Sequence, residues 1–366
     1  MRRLAGFAVV LVLAGCTTST GGTAPSSAVP GGLAVTEVVG GLTHPWDVGF
    51  LPDGRLLVPQ RPGRLTLVAD GRATPVDADL GDVVARGEGG LLGLLVHPDF
   101  ATSHRFTTCY DTATDVRLVT WELTGTSARK VVDPLLGGLP VNPSGRHSGC
   151  RLAVDAEGAL LVGTGDTARP AVAQDRSSYG GKVLRLNLAT GEAFAGGDRV
   201  HTYGHRNVQG IAVRPDGLVF TAEHGPDVDD EVNVLRAGAN YGWDPSRGGA
   251  SESYDESVPM TDTVRFPDAV PAVWSSGRPT EAVCAAAFLG SSWGALDGVL
   301  AVTALKGSKL LLLTVTPEGG VHSVSVPPEL DGKYGRLRGA AVGPDGALYL
   351  TTSNGDDDKV LRVRPA

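Results

Sequence analysis

A turn-and-strand phrase that recurs along the chain constrains the fold more than any other feature of the sequence. In each copy an Asp-Gly or Glu-Gly pair precedes a short apolar run, and the turn glycines are Gly54, Gly158, Gly217, Gly298 and Gly346. Such pairs favour tight turns because glycine tolerates positive φ and aspartate hydrogen-bonds its own backbone. Successive glycines lie 104, 59, 81 and 48 residues apart, and a turn-like His-Pro-Asp-Phe at 97–100 falls near the middle of the first gap. Repeats of roughly 40–50 residues with several strands each are typical of a β-propeller.

The length of the chain fits six such repeats. A ring of six would give each blade about 55 residues, which is enough for four strands. Long helical periodicity does not occur in the sequence. We therefore predict an all-β fold, a six-bladed β-propeller of four-stranded antiparallel blades. A pair of β-sandwiches is the alternative that the same strand-rich pattern leaves open.

The first sixteen residues have the pattern of an export signal. Arg2 and Arg3 give a positive start, residues 4–14 are apolar but too few to span a bilayer, and Leu-Ala-Gly-Cys follows at 13–16. The last four residues resemble a bacterial lipobox, in which Cys16 is lipidated and becomes the mature N-terminus. We expect a signal peptide at 1–16, a Ser/Thr/Gly/Pro-rich flexible linker at 17–32 and a folded domain at 33–366. The protein would be exported and anchored as a lipoprotein to the outer face of the cell membrane. An ordinary signal peptide with an incidental cysteine is the alternative.

The composition excludes two classes of protein. The 366 residues include 40 acidic and 32 basic side chains, a formal charge of −8, whereas a nucleic-acid-binding protein normally presents a basic face. After the N-terminal segment no stretch of about 18 apolar residues occurs, so a body that spans a membrane is excluded. With 42% apolar residues the chain can build a large core, and the oligomeric state, monomer or homodimer, stays open.

Three cysteines remain once Cys16 is assigned to the lipid. Export places Cys109, Cys150 and Cys284 in a compartment that permits disulfides, where three thiols allow one bridge and one free cysteine. The sequence does not decide the pair. We favour Cys109–Cys150 because both residues lie in strand-like segments. No Cys-x-x-Cys pattern occurs, so a structural zinc site is not expected.

Eight further phrases follow one another along the body and go beyond what a bare propeller needs. They are Gly-Glu-Gly-Gly-Leu-Leu (87–92) with His-Pro-Asp-Phe (97–100), His-Ser-Gly-Cys-Arg-Leu (147–152) with Gly-Thr-Gly-Asp (163–166), Gly-Gly-Lys-Val-Leu-Arg (180–185), Gly-His-Arg-Asn-Val-Gln-Gly (204–210), Glu-His-Gly-Pro (223–226), Asp-Glu-Val-Asn (230–233) with Asn-Tyr-Gly-Trp (240–243), Leu-Lys-Gly (305–307) and Gly-Arg-Leu-Arg (335–338). In this order they resemble the soluble glucose/sorbosone dehydrogenase family, the aldose sugar dehydrogenases that depend on pyrroloquinoline quinone (PQQ). The family fold is a six-bladed propeller, in agreement with the repeat count.

The resemblance implies a catalytic base. Oxidation of a sugar hydroxyl needs a group that takes the hydroxyl proton, and histidine suits this role because it titrates near neutral pH. The family's base matches His147. The alternative is a histidine that only bonds a loop carbonyl. His205 and His224 also lie in matched phrases, where support of the backbone is as good an explanation as ligand contact.

The resemblance also implies a cationic cofactor site. PQQ carries three carboxylates and an ortho-quinone, which arginine and lysine bind through charge-assisted hydrogen bonds. By resemblance Arg206 and Asn207 would contact the quinone, and Lys306, Arg336 and Arg338 would hold oxygens and carboxylates. Arg336 and Arg338 are two residues apart, so on a strand they would point the same way. Two solvent-facing arginines are the alternative.

Calcium is implied at two places. The carbonyls of Gly225 and Pro226 match the family's calcium site beside PQQ, where the cation would polarise the quinone. Glu231 and the carbonyl of Tyr241 match a second, structural calcium site of some members. A solvated acidic turn at 227–230 is the alternative explanation of the local charge.

One position departs from the family. The glutamine of the usual Gln-Gly-Gly-Leu-Leu, which hydrogen-bonds the cofactor, is replaced by Glu88. A carboxylate beside an anionic quinone would be repelled unless it is protonated or paired, with Arg86 a candidate partner. Tyr254 and Trp274 are candidate platforms for the sugar ring.

These inferences give a leading hypothesis and two rivals. The hypothesis is a PQQ- and calcium-dependent oxidation of the C1 hydroxyl of a cyclic aldose to a lactone: His147 takes the proton, the quinone takes the hydride and electrons pass to an external acceptor. One rival is a non-catalytic lipoprotein that binds a sugar or cell-wall fragment, and the other is a calcium-dependent lactonase. Basic residues that converge beside His147 at one mouth of the channel would favour the dehydrogenase.

Overall fold

Strands form nearly all of the regular structure in residues 31–247 and 253–366, which are the residues that the computed structural model describes. They build six sheets around a central channel, so the predicted all-β, six-bladed propeller is confirmed. The helices in this part of the chain are short: α1 (Phe100–Ser103) and 3₁₀ turns at Phe194–Gly196 and Ser291–Leu296. None of them is long and apolar enough to cross a membrane. Cys16 lies outside the described residues, and its lipidation stays a prediction.

The blades follow one another along the chain, and each runs outward from the axis. After β1 (Leu33–Leu42), the first blade contains β2 (Gly49–Phe50), β3 (Leu56–Gln60), β4 (Arg64–Ala69) and β5 (Arg72–Pro75). After β6 (Asp77–Ala78), the second contains β7 (Leu91–Val96), β8 (Arg105–Asp111), β9 (Val116–Thr124) and β10 (Ser127–Leu139). The third contains β11 (Gly149–Val154), β12 (Leu160–Thr164), β13 (Lys182–Leu186) and β14 (Val200–Tyr203).

The remaining blades have the same order. The fourth contains β15 (Val208–Val213), β16 (Val219–Glu223), β17 (Glu231–Val234) and β18 (Trp274–Ser275). The fifth contains β19 (Val283–Phe288), β20 (Leu300–Ala304), β21 (Lys309–Val315) and β22 (Val321–Ser325). The sixth contains β23 (Leu337–Val342), β24 (Leu348–Thr352) and β25 (Asp358–Pro365). The second blade departs from the predicted four strands, because β6 pairs in parallel with the outer strand β10.

The first strand of the chain closes the ring. Strand β1 pairs antiparallel with β25, from Leu33 opposite Pro365 to Leu42 opposite Asp358. The sixth blade therefore takes its outermost strand from the N-terminal side and its other three from the C-terminal side. This pairing joins the two ends of the folded chain and covers the edge of β25 that would otherwise be open.

The repeated turn has one structural place in every blade. Each turn glycine lies between the innermost and the second strand, and its φ is between +74° and +94°. Only glycine adopts this conformation without strain, which explains why the phrase recurs. The His-Pro-Asp-Phe segment at 97–100 joins β7 to β8 and is the corresponding connection of the second blade.

The core consists of apolar layers between neighbouring blades. Between the second and third blades, for example, Leu92 and Leu118 pack with Leu160. The innermost strands approach one another so closely that some positions accept only glycine. A Cβ atom on Gly93 would lie 2.1 Å from the carbonyl oxygen of Cys150, a contact that no other residue could relieve without moving the backbone.

The favoured disulfide is present. Cys109 on β8 is bonded to Cys150 at the start of β11, and Cys284 is buried with a free thiol. The bridge therefore ties the second blade to the third beside the channel.

Removal of this bridge should destabilise the protein. The Cys109→Ala/Cys150→Ala double variant opens a loop with a sequence separation of 41 residues, and we expect its free energy of unfolding to fall by about 2–4 kcal/mol. Urea denaturation with and without reductant measures the effect. Reductant should lower the stability of the parent protein to that of the variant and leave the variant unchanged. Equal stability of the oxidised parent and the variant would contradict the prediction.

Candidate functional site

The direction of the strands brings the chemically distinctive phrases to one face of the propeller. In an antiparallel blade that starts at the axis, the beginning of the innermost strand and the loop between the second and third strands lie at the same end. His147 lies just before β11, and Arg206 and Asn207 lie just before β15. Gly225 lies between β16 and β17, and Lys306 lies between β20 and β21. The turn glycines lie at the opposite end.

A cavity of about 300 Å³ opens at this face. The candidate residues that line it are Glu88, His147, Arg206, Gly225, Pro226 and Lys306. Four blades contribute to it, so no blade holds the site alone. Arg206 and Lys306 thus lie beside His147 at one mouth of the channel, together with several carboxylates, whereas Arg336 and Arg338 are not part of the lining.

His147 is buried and held in one orientation. Its Nδ1 is 2.8 Å from Oδ1 of Asp166, so the ring nitrogen that remains for the cavity is Nε2. Asp166 ends the Gly-Thr-Gly-Asp phrase after β12, and it is completely buried. The sequence places Asp166 in a matched phrase but does not show its contact with His147, because 19 residues separate them along the chain.

The carboxylate of Asp166 has a full set of donors. Oδ1 accepts the Ala168 N–H at 2.8 Å, and Oδ2 accepts the Trp243 Nε1–H at 2.7 Å and the Tyr254 hydroxyl at 2.6 Å. Burial alone would raise the pKa of Asp166, but the hydrogen bond and charge of His147, the charge of Arg206 and the hydrogen bond from Tyr254 hold it below its usual value. Asp166 therefore stays ionised although it is buried.

Arg206 is tied to two acceptors. Its Nη1 donates to the His224 carbonyl at 2.9 Å, and its Nη2 is 2.5 Å from Oε1 of Glu256. The same oxygen accepts from Arg146 at 3.0 Å. Burial would raise the pKa of Glu256, but these two guanidinium groups lower it, so the carboxylate is ionised. No sequence pattern pointed to Glu256, because it lies in a loop outside every matched phrase.

Glu88 is paired differently from the pairing we proposed. Its Oε2 accepts from the Asn207 amide at 3.1 Å, whereas Arg86 donates to the carbonyl of Pro143. Burial and the charges of Arg338 and Arg336 lower the pKa of the nearby Arg61, and the charge of Glu88 partly offsets this. Asn207 is therefore within the site but already engaged by the carboxylate that replaces the family glutamine.

The remaining basic residues lie at different depths. Lys306 is exposed and its Nζ is 3.2 Å from the Thr280 hydroxyl. Arg338 is buried in β23, with its Nη1 3.2 Å from Oε1 of Gln209. Arg336 lies one residue before the strand, where its N–H donates to Oδ1 of Asn354 and its carbonyl accepts the N–H of Ser353. Burial and the charge of Arg338 nevertheless lower the pKa of Arg336, which places the two cations near each other.

Buried polar atoms that lack a hydrogen-bond partner indicate whether an anionic cofactor fits these basic residues. Nε of Arg206, Nε of Arg338 and Nε2 of His224 are buried without a hydrogen-bond partner among the described residues. Burial and the charges of Arg338 and Arg206 lower the pKa of His224, so its ring is neutral. Buried donors without acceptors are costly, and an anion that accepts from them would relieve the cost. The residues present fit a polyanionic ligand such as PQQ.

The main chain at 225–226 fits a hard cation. The carbonyls of Gly225 and Pro226 accept no hydrogen bond within the described part of the chain. Asp230 fixes this loop, because its carboxylate accepts the N–H groups of Gly225 at 2.8 Å and Glu281 at 2.6 Å. Among residues 31–247 and 253–366, no three acidic, histidine or cysteine side chains cluster so as to hold a metal by themselves, so main-chain oxygens would have to contribute.

The second implied calcium site lies away from this cavity. Glu231 is buried on β17, where burial and the neighbouring Glu223 raise its pKa to about 8. Asn233 donates to both carboxylates, and its own Oδ1 has no partner in the described residues. Tyr241 stacks on His205 with ring centroids 4.5 Å apart. Two adjacent buried carboxylates fit a cation.

The two candidate sugar platforms lie in different places. Trp274 lies on β18, the outermost strand of the fourth blade, and packs with its apolar cluster. Tyr254 is at the site, but its hydroxyl points to Asp166 and its ring packs against Trp243. Aromatic composition alone could not distinguish a ring that faces a ligand from one that supports a catalytic pair.

Comparison with known proteins identifies relatives along most of the chain. Residues 42–362 match the family model described as Glucose / Sorbosone dehydrogenase. The chain is 29% identical to the aldose sugar dehydrogenase of Escherichia coli K12 over 365 residues, which cover 92% of this chain and 94% of that protein.

Solved structures give the same picture. An oxidoreductase of Thermus thermophilus described as a glucose dehydrogenase is 35% identical with a TM-score of 0.76, covering 91% of this chain and 100% of its own. The PQQ-bound aldose sugar dehydrogenase of Streptomyces coelicolor is 30% identical with a TM-score of 0.74, covering 93% and 99%.

One further buried carboxyl lies behind the cavity. Oδ2 of Asp111 accepts the Ser148 hydroxyl at 2.7 Å, while Oδ1 is buried without a partner among the described residues. The loop that carries Glu88 packs directly on it, since a Cβ atom on Gly89 would lie 2.1 Å from Oδ2. Burial, with a contribution from the charge of Glu88, raises the pKa of Asp111 to about 7.

This shift predicts a pH-dependent effect of Asp111→Asn on stability. The folded protein keeps a proton on Asp111 up to a pH of about 7, whereas the unfolded chain releases this proton near pH 4. The free energy of unfolding of the parent protein therefore decreases as the pH rises from about 4 to about 7. The free energy of unfolding of the variant should therefore improve relative to the parent by about 1–3 kcal/mol from pH 5 to pH 8. Urea denaturation at several pH values measures it. Asp70→Asn, at an exposed aspartate, is the control, and a difference that does not change with pH would contradict the prediction.

Proposed function

This chain belongs to the glucose/sorbosone dehydrogenase family, and on that premise we propose that it uses PQQ and calcium to oxidise the C1 hydroxyl of an aldose to the lactone. It is an oxidoreductase that acts on the CH–OH group of a sugar. The observation that carries the proposal is the arrangement of the cavity, where His147, oriented by Asp166, lies beside Arg206 and Lys306.

His147 would act as the general base. Because Nδ1 donates to Asp166, the lone pair of the neutral ring is on Nε2, the atom left for the cavity. A sugar hydroxyl that reaches Nε2 can give up its proton there, and the ionised Asp166 stabilises the resulting imidazolium. Asp166 also prevents the ring from turning its protonated nitrogen towards the substrate.

The basic residues would hold the cofactor. Arg206 and Asn207 are assigned to the quinone region, and Lys306, Arg336 and Arg338 to its oxygens and carboxylates. When bound, PQQ supplies the acceptor for the hydride that leaves the sugar carbon. The buried, unpartnered Nε atoms of Arg206 and Arg338 support this assignment.

Calcium would bind the carbonyls of Gly225 and Pro226, whose loop Asp230 holds in place. A cation there would favour negative charge on a quinone oxygen. Glu231 and the Tyr241 carbonyl would hold the second, structural calcium, which would neutralise the buried pair formed with Glu223.

The rivals explain less of this arrangement. A lactonase would use side-chain carboxylates that converge on a metal, but no three such side chains cluster among the described residues, Glu256 is bonded to Arg146 and Arg206, and Asp230 to main-chain N–H groups. A non-catalytic sugar-binding propeller would leave the His147–Asp166 pair unexplained.

We also propose that the protein works outside the cell, anchored through Cys16, and passes its electrons to an external acceptor.

Replacement of His147 tests the base. In His147→Ala, kcat for sugar-dependent reduction of an artificial dye should fall by about 10²–10⁴-fold, because the proton acceptor is lost, while the Kd for PQQ changes little. The assay uses protein lacking residues 1–16, reconstituted with PQQ and calcium. His322→Ala, at an exposed histidine of the fifth blade, is the control.

Two outcomes of this assay would count against the proposal. Turnover that survives in His147→Ala would exclude His147 as the base. PQQ binding by the parent protein without turnover on any aldose would keep the cofactor site and reject the substrate class.

Chelation of calcium should abolish turnover, and added calcium should restore it.

Replacement of Glu88 tests the departure from the family. A carboxylate near an anionic ligand weakens binding, so Glu88→Gln should lower the Kd for PQQ by about tenfold, a change of about 1.4 kcal/mol. Quenching of tryptophan fluorescence by PQQ in excess calcium measures the Kd. Glu157→Gln, at an exposed glutamate of the third blade, should leave it unchanged. Weaker binding in Glu88→Gln would show that the carboxylate is needed at this position.

A further inference from the structure

The hydroxyl of Tyr254 lies between the two members of the His147–Asp166 pair. Its oxygen is 2.6 Å from Oδ2 of Asp166 and 3.3 Å from Nδ1 of His147. Since His147 Nδ1 is already bonded to Oδ1, the phenol donates to the other carboxylate oxygen. Trp243 Nε1 donates to that same oxygen at 2.7 Å. The orientation of the carboxylate is therefore fixed through both of its oxygens.

The ring of Tyr254 is partly buried and has protein groups on several sides. It meets the Trp243 ring edge-on, with centroids 6.2 Å apart, and lies 6.1 Å from the His147 ring. The Arg146 guanidinium lies over it, 5.7 Å from the ring centroid. It also packs against a small apolar cluster that includes Met260. These contacts hold the ring in place and so fix the position of its hydroxyl.

We propose that Tyr254 is a positioning residue, which holds Asp166 so that Asp166 keeps the His147 ring in the orientation of a general base. This inference rests on the proposed function and adds a residue to it. Tyr254 acts through Asp166 and does not touch the reacting atoms.

The phenol is suited to act only as a donor. Burial and the charge of Asp166 raise the pKa of Tyr254 above its usual range, so it keeps its proton wherever the protein is folded. Without this donor, Oδ2 retains only the Trp243 N–H. The carboxylate then carries more charge towards His147 and is held less firmly on the Oδ2 side, so the ring is both easier to protonate and less well aligned.

The expected pH effect follows from the charged groups around His147. The negative charge of Asp166 favours the protonated form of the His147 ring. Arg206 and the neutral His224 face this ring from the fourth blade, and Lys182 lies behind Asp166. Loss of the Tyr254 donor strengthens only the attraction to Asp166. The pH at which half of the His147 rings are protonated should therefore rise.

The test compares Tyr254→Phe with Tyr349→Phe. The control also removes a phenol that donates to an aspartate, Asp345 at 3.2 Å, but beside the turn of Gly346, at the face opposite the cavity. In Tyr254→Phe we expect kcat for sugar oxidation to fall about tenfold, with KM and the Kd for PQQ within about twofold, and the acid limb of the kcat/KM profile to move up by about half a pH unit to one unit. Tyr349→Phe should match the parent protein.

A second measurement needs no turnover. Nuclear magnetic resonance of the cofactor-free protein with ¹⁵N-labelled histidine follows the titration of His147 directly. Tyr254→Phe should move its midpoint to higher pH and should broaden or shift the Nδ1–H signal. If no sugar is oxidised by the parent protein, the proposed function fails, but this titration still decides the role of Tyr254.

A double variant separates positioning from general support of the fold. If Tyr254 acts through Asp166, Tyr254→Phe should cause almost no further loss of kcat in an Asp166→Asn background. Losses that multiply, an effect confined to KM, or a His147 titration identical to that of the parent would each overturn the proposal. The first would indicate an independent role, and the second would restore Tyr254 as a sugar platform.

Discussion

Every blade runs outward from the channel, and this single constraint decides where the chemistry can be. Antiparallel pairing sends the turn between the first and second strands to one face and the loop between the second and third strands to the other. The turns built on Gly54 and its counterparts therefore lie opposite the cavity, and the loops after β16 and β20 meet around it. The pairing of β1 with β25 closes the ring of blades and so keeps these loops in fixed positions relative to one another.

Within the site, the buried charge of Asp166 determines the local arrangement. An ionised carboxylate away from water is tolerated only when donors surround it. Its donors come from the His-Ser-Gly-Cys-Arg-Leu phrase, from the Asn-Tyr-Gly-Trp phrase and from the loop of Tyr254, so they belong to different segments of the chain. The need to satisfy one carboxylate thus brings three separate segments together and orients His147.

The sequence predicts the fold well because the fold is repetitive. Positive φ at each turn glycine leaves a local signal, and local signals can be counted along a chain. The fifth strand of the second blade escapes prediction because β6 has only two residues and pairs with a distant partner. Arg336 and Arg338 share a spacing that suits one strand, but the strand begins only at Leu337.

The partners of the site residues are less predictable, and the charge balance of the cavity shows why. Glu256 belongs to no matched phrase, yet its carboxylate bridges Arg146 and Arg206. Glu88 likewise engages Asn207. Because buried cations are costly without counter-charges, the protein supplies its own anions at the positions where an anionic ligand would bind. A ligand that contacts Arg206 through its Nη2 must therefore displace Glu256 or share the guanidinium with it, whereas the Nε atom is unpartnered among the described residues and needs no such exchange.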